Sequence, residues 1–241
     1  MKLNDKINKY IFKMFFSEKN YNVENILDGQ LILIDKPYKW SSFDVVKKIR
    51  SRLCKKFNLK KIKVGHAGTL DPLATGLLLI CTGKQTKNIS NYQDMKKTYE
   101  GIFKFGETTP SYDLETEVNE SFDYKHIEID KLIESSKNFI GTISQKPPIF
   151  SAIKKDGKRL YQYARENQVI KIKNREIQIH DFQIKKYNKP YAEFVIECSK
   201  GTYIRSVAHD YGKSLKSGAF LYSLKRTKIG EYSLENALEI S

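Results

Sequence analysis

Cysteine is scarce in this chain. Cys54, Cys81 and Cys198 are its three thiols among 241 residues, and none stands in a C-x-x-C pair. An odd, unclustered set excludes a disulfide framework and a cysteine-based zinc site, and it suits a reducing compartment. The four histidines, His66, His126, His180 and His209, never fall at metal-ligand spacing, so no metal centre is expected. No apolar stretch approaches the roughly 20 residues that span a bilayer. A triphosphate-binding loop is missing too. The pattern G-x-x-x-x-G-K-[ST] ending at Lys84 needs glycine at 78 and a hydroxyl residue at 85, where Leu78 and Gln85 stand. The N-terminus is basic and amphipathic, with neither a clean apolar core nor a small-residue cleavage site. Asp5 and Glu18 fit a transit peptide poorly. The expected location is the cytoplasm.

Acid is in short supply as well. Lys and Arg total 43 against 28 Asp and Glu, a formal net charge of +15. Such a surplus suits a polyanionic partner, since each phosphate neutralised by Lys or Arg releases a condensed counterion. The charge does not separate RNA from DNA or from an anionic membrane surface. It is equally the signature of a lysine-rich proteome with a solvated surface. With 40% hydrophobic and 29% charged residues the composition is that of a globular protein, not a disordered one.

The hydrophobic pattern predicts strands and helices in mixed order. Residues 1–29 read as an extension containing a short helix with Ile7, Tyr10, Ile11 and Met14 on its apolar face. Leu31–Ile34 reads as a strand closed by Asp35-Lys36-Pro37. Ser41-Ser42 caps a helix with Phe43, Val46, Ile49 or Arg50, and Leu53 at helical spacing, and Leu77–Cys81 reads as a buried strand. Lys97–Phe105 alternates, putting Tyr99, Gly101, Phe103 and Phe105 on one face. The acidic, proline-bearing stretch Glu107–Glu120 reads as a loop. Helices are expected over 129–139, 157–167 and 202–215, and strands over 169–186 and 191–199. The class this implies is α+β, with a central, mainly antiparallel sheet flanked by helices.

The segment richest in chemistry is Gly65-His66-Ala67-Gly68-Thr69-Leu70-Asp71-Pro72-Leu73-Ala74-Thr75-Gly76-Leu77-Leu78. Its glycines permit tight turns and close approach by a ligand. Pro72 restricts Asp71 to extended conformations, so its carboxylate projects from a turn. A carboxylate fixed in this way can serve as nucleophile, general base or metal ligand. Asp-Pro in a glycine-rich loop is also a common turn former with no chemistry at all.

This segment resembles the catalytic motif of the TruB family of tRNA pseudouridine synthases. Four further segments, in order, resemble that family's signatures. They are Leu33-Ile34-Asp35-Lys36-Pro37 with Trp40-Ser41-Ser42; Lys97-Thr98-Tyr99; Pro147 to Lys154 with Gly157-Lys158-Arg159-Leu160-Tyr161; and Cys198 to Arg205. The resemblance covers most of residues 31–227.

It implies an enzyme that isomerises uridine 55 in the T-loop of tRNA to pseudouridine, with no cofactor and no metal. The base is flipped out of the stack, the N-glycosidic bond is cut, and the base is rejoined through C5. By this resemblance Asp71 is the covalent nucleophile, Arg205 the arginine paired with it, and Tyr99 the aromatic that stacks on the target base. His66 would fill the space the flipped base leaves, Tyr203 and Leu224 would line the pocket, and Lys87 would contact phosphate. Lys154-Lys155 and Lys225-Arg226 are expected to contribute to a basic field. The family resemblance divides the chain into an extension, residues 1–29, and a catalytic domain, residues 30–241. The small C-terminal PUA-like RNA-binding domain of many bacterial members is not expected. The expected partner is the T-arm of tRNA, bound by a monomer without guide RNA, accessory protein or membrane. The rival expectation is a non-catalytic tRNA-binding or tRNA-folding protein on the same scaffold.

Overall fold

The structure is a computed structural model describing residues 23–240 apart from 167 and 169; the helix expected near Ile7–Met14 lies outside them. The chain divides into two compact units. The first comprises residues up to Lys97 together with Lys225 onward, the second Thr98–Leu224. Both boundaries fall inside the span expected to be one catalytic domain. Among the described residues no helix is long and apolar enough to cross a membrane.

In the first unit the sheet is built around Ala74–Thr82, a strand buried along almost its whole length. Leu31–Lys36 pairs with it antiparallel, setting Ile34 opposite Leu78, Asp35 opposite Leu77 and Lys36 opposite Gly76. Val64–His66 is also antiparallel to it, and Leu238–Glu239 runs parallel to Leu31–Lys36. Alternation sends successive side chains of the central strand to opposite faces. Leu78 and Ile80 enter a core with Ile32, Ile34, Val45, Val46, Ile49 and Leu53. Leu77 and Leu79 enter another with Ala67 and Ile229. The continuous apolar run Leu77–Cys81 within this strand is what burial on both faces requires.

The Ser42–Lys56 helix covers the first of these faces. Its start is a capping box: the Ser41 side chain accepts from the Asp44 N–H, and the Asp44 carboxylate accepts from the Ser41 N–H. The buried stripe is Val45, Val46, Ile49 and Leu53. Phe43, expected on the apolar face, is exposed, because Ser42 takes the inward position of the first turn instead.

The second unit's sheet runs Ala219–Leu224, Thr98–Phe105, Tyr191–Cys198, Arg175–Asn188 and Gly141–Gln145. The last three are antiparallel neighbours. Tyr99, Phe103 and Phe105 are buried as the alternation predicts. Phe103 stacks on Phe194 with centroids 3.9 Å apart. The Ile204–Ser214 helix adds Tyr211, whose hydroxyl donates to Leu132 O at 2.6 Å. The expected helix over 157–167 is shorter, Leu160–Arg165, and is preceded by the small hairpin Lys154–Lys155/Lys158–Arg159. With the parallel pair Leu31–Lys36/Leu238–Glu239 beside antiparallel ladders, and helices in both units, the architecture is α+β.

Candidate active site

Asp71 lies in the turn before the central strand of the first unit, where Ala74 N–H donates to Asp71 O at 3.0 Å. Its side chain is half-buried. What distinguishes the turn is how many buried groups hold the backbone around it. Ser42, itself buried, donates to Leu70 O (3.1 Å) and accepts from Leu70 N–H (2.8 Å), clamping the residue before Asp71 from both sides. Pro72 O, the carbonyl just after it, accepts from Lys39 N–H at 2.8 Å and from the Lys36 ammonium at 3.3 Å. Asp35 Oδ1 accepts from Gly76 N–H at 3.1 Å. Buried backbone polar groups must find partners, and here those partners fix a loop that the glycines alone would leave loose.

Lys36 is fully buried and also donates to Pro37 O (2.9 Å) and Trp40 O (2.6 Å). Burial pulls its pKa down to about 8; the charge of Asp71 opposes that shift and the charge of Arg226 adds to it. Lys36 thus couples the Asp71 turn to the buried interior both through hydrogen bonds and through charge.

Arg226 corrects an expectation. Read from sequence as part of a basic surface, it is only 1% exposed. Its Nε donates to Leu77 O at 2.8 Å and its Nη2 to Gly68 O at 3.1 Å. The guanidinium therefore ties both ends of the Gly68–Leu77 segment together. Planar, multi-donor geometry suits Arg to bridging two carbonyls in this way. A dibasic pair in a strand points its two side chains to opposite faces, and Lys225 is the exposed member.

His66, at the end of the Val64–His66 strand, is pushed below its ordinary pKa first by burial and then by Arg226, with a backbone hydrogen bond to Gly68 in opposition. It is a neutral ring at pH 7. Lys87 is exposed on the short 3-10 helix Gly83–Asn88. The first unit thus carries Asp71, His66 and Lys87; Tyr99, Tyr203, Arg205 and Leu224 belong to the second.

In the second unit Arg205 opens the Ile204–Ser214 helix and is almost fully buried. Nη1 donates to Ser111 O (3.1 Å), Nη2 to Phe150 O (2.9 Å), and Nε lies 3.5 Å from Asp113 Oδ2. Asp113 and Ser111 lie in the stretch read as an acidic loop. That stretch is a loop closed by the short pair Glu107–Thr108/Glu120–Ser121, but its middle is buried, including Thr109, Ser111 and Asp113. The T-x-x-x-D spacing, with Thr109 Oγ1 donating to Asp113 O at 2.7 Å, is a signal that net acidity obscured. Tyr203 exchanges two backbone hydrogen bonds with the Gln145 side chain, at 2.9 and 3.1 Å. The Arg175 guanidinium lies over its ring, 4.5 Å from the centroid. Tyr99 is buried in its strand and Leu224 is half-buried.

This fold is shared with solved pseudouridine synthase assemblies. A chain of a Cbf5-Nop10-Gar1 complex superposes with a TM-score of 0.64 at 27% identity, covering 89% of this chain and 53% of the other. A chain of an H/ACA RNP bound to a substrate RNA containing 2′-deoxyuridine does so with the same TM-score at 23% identity, over 90% and 53%. The present chain spans about half the length of those two.

The class defined is the pseudouridine synthase fold. The profile of the TruB family pseudouridylate synthase N-terminal domain matches residues 55–204. The "tRNA pseudouridine synthase B" of Flavobacterium johnsoniae is 56% identical over 219 residues, 90% of this chain and 96% of that protein. The protein of the same name from Phocaeicola vulgatus is 47% identical over 216 residues, covering 90% and 92%. The chain belongs to the TruB family and is a pseudouridine synthase.

Proposed function

We propose that this enzyme converts uridine 55 in the T-loop of tRNA to pseudouridine, with Asp71 as its covalent nucleophile. The observation that carries the reading is the bracing of the Asp71 turn by Ser42, Lys36, Arg226 and Asp35. Such investment of buried polar groups in one half-exposed carboxylate is what preorganised chemistry requires. The relatives' shared name supplies the substrate class. The target uridine leaves the stack at a cost of a few kcal/mol, which contacts to the extruded nucleotide offset. The carboxylate adds to the nucleotide, the N-glycosidic bond breaks, the base turns, a C5–C1′ bond forms, the bond to the carboxylate breaks to free Asp71, and the C5 proton leaves.

Tyr99 stacks on the base, Tyr203 and Leu224 line its pocket, and Arg205 orients the carboxylate. His66, neutral, fills the vacated place in the stack, and Lys87 meets the backbone. The enzyme acts as a monomer, without guide RNA, accessory protein or cofactor, in the cytoplasm where tRNA matures. The catalytic domain is residues 30–241, with residues 1–29 as an extension.

The test is tritium release from tRNA transcribed with 5-tritiated uridine. Wild type is expected to release it, and Asp71→Asn to lose release by about 10⁴-fold or more. Binding of tRNA by wild type with no release would replace the isomerase reading with that of a tRNA-folding protein.

A further inference from the structure

Beside the Asp71 turn, the first unit carries a surface that the catalytic reading leaves unused. Within the eleven residues Tyr38–Lys48 three aromatics are interspersed with three lysines, and each ring pairs with one lysine in space. Lys39 Nζ lies 5.7 Å from the Tyr38 ring centroid, Lys47 Nζ 4.9 Å from Phe43 and Lys48 Nζ 5.9 Å from Trp40. Tyr38 and Phe43 are 49% and 52% exposed, although apolar residues of that size normally find cover. Next to them opens a pocket of about 500 Å³ lined by Lys39, Trp40, Asp44, Lys47 and Lys48.

The one carboxylate there is already engaged: Asp44 caps the helix through Ser41 and lies 3.8 Å from Lys47. The surface is therefore cationic. Lys39 adopts a left-handed backbone conformation, φ +68°, a strained choice for a lysine. The same turn aims the Lys39 N–H at Pro72 O, the residue next to Asp71. The Lys36 ammonium holds Trp40 O and Pro72 O together. Patch and nucleophile turn are thus one rigid piece.

We propose that Tyr38–Lys48 is a second RNA-contact surface, on which the strand flanking the reacting nucleotide runs. Its phosphates meet Lys39, Lys47 and Lys48, and an unstacked base or ribose lies against Tyr38, Trp40 or Phe43. Alternating cations and exposed rings is the chemistry that holds single-stranded nucleic acid without reading its sequence. Acidic protein surfaces would use the lysines but not the rings. The inference rests on the proposed RNA substrate and adds to it where the RNA leaves the site.

The experiment is equilibrium binding of a tRNA transcript, followed by filter retention and by the emission of Trp40, the chain's single tryptophan. Binding should change Trp40 emission. The double variant Lys39→Asn/Lys47→Gln should raise Kd about tenfold. It should also flatten the log Kd against log salt slope by roughly 1.4, about 0.7 for each lost contact. Asn tolerates the left-handed position, and Lys47 is exposed, so the fold is preserved. Phe43→Ala should weaken binding with no change in slope. Lys131→Gln/Lys137→Gln, exposed on the Ile129–Lys137 helix, should have less effect.

A wild-type Kd and slope in the first double variant overturns the proposal, as does equal weakening by the second pair, which would make net charge the cause. Tritium release on the same tRNA separates this from the reading beneath it. Patch-dependent binding without release keeps the surface and discards the isomerisation, whereas release with no dependence on the lysines does the reverse.

Discussion

Arg205 Nε and Asp113 Oδ2 stand 3.5 Å apart, their side chains 4% and 7% exposed. An arginine so deeply placed costs a large desolvation penalty unless charge and hydrogen bonds compensate it. Asp113 supplies charge, while the carbonyls of Ser111 and Phe150 take the two terminal nitrogens. The loop that begins at Glu107 therefore acts as part of the arginine's scaffold, whatever the role of the guanidinium in catalysis.

The first prediction concerns that pair. Asp113→Ala should lower the free energy of unfolding in urea by about 3 kcal/mol, the scale of an uncompensated buried charge. Asp113→Asn keeps the shape and should cost less in stability. It should still slow single-turnover conversion by about 10²-fold, because Arg205 loses the anion that sets its angle. Stability and conversion both at wild-type levels in the alanine variant would show the pair to be idle.

A second prediction follows from Arg226. Removing its fork in Arg226→Met frees Gly68 O and Leu77 O inside the core and lets the Asp71 turn drift. An ångström of misplacement is enough to cost about 10²-fold in rate, so single-turnover conversion should fall by that order. Arg226→Lys keeps the charge but not the two-point bridge, and should recover less than half of the loss on a logarithmic scale. Had Arg226 belonged to the RNA-binding surface, both variants would instead raise the Kd for tRNA and leave the saturated rate alone.

That contrast shows where sequence stopped being informative. The turn at Asp71 was legible because Pro72, the flanking glycines and an apolar strand each restrict the backbone locally. The capping box at Ser41 and the alternation in Lys97–Phe105 were legible for the same reason: the signal lies within a few neighbouring residues. Arg226 and Asp113 were not. A charged residue in sequence reads as solvated by default, and only partners 149 and 94 residues away, Leu77 for Arg226 and Arg205 for the Asp113 loop, reverse that. The exposed Phe43 was misplaced by a smaller error, a rotation of the helix by about one position. Lys36 was legible as a motif residue, yet nothing local says that its ammonium is buried.

The third prediction is the pH signature of Lys36. Its folded pKa of about 8 lies below the ordinary value of 10.5, chiefly through burial. Below about pH 8 both folded and unfolded states hold the proton, and the whole cost of burying the charge is present. Between 8 and 10.5 the unfolded state holds more protons than the folded one, so stability contributed at this site rises with pH. Wild type should therefore gain stability relative to Lys36→Met as pH is raised from 7.5 to 10. Chemical denaturation of both proteins at matched ionic strength reads this directly. Parallel stability–pH curves would mean that the folded pKa is not depressed.

The last prediction separates two glycines of the motif. Gly76 has φ +101°, and a β-carbon there would stand 2.4 Å from Arg226 O and 2.7 Å from Arg226 N, both backbone atoms that cannot swing aside. Gly68 has a similar φ of +99°, but its nearest obstacle would be an Arg226 side-chain nitrogen at 3.6 Å, an ordinary contact. Gly68→Ala therefore carries conformational strain alone, about 1–2 kcal/mol. Gly76→Ala adds a collision between two backbones inside the sheet and should destabilise by more than about 3 kcal/mol, enough to deplete the folded protein at 37 °C. Melting temperatures should rank wild type, Gly68→Ala, Gly76→Ala in descending order. If the two alanine variants melt together, φ alone governs both sites, and the close packing of Gly76 against Arg226 contributes nothing to the turn that carries Asp71.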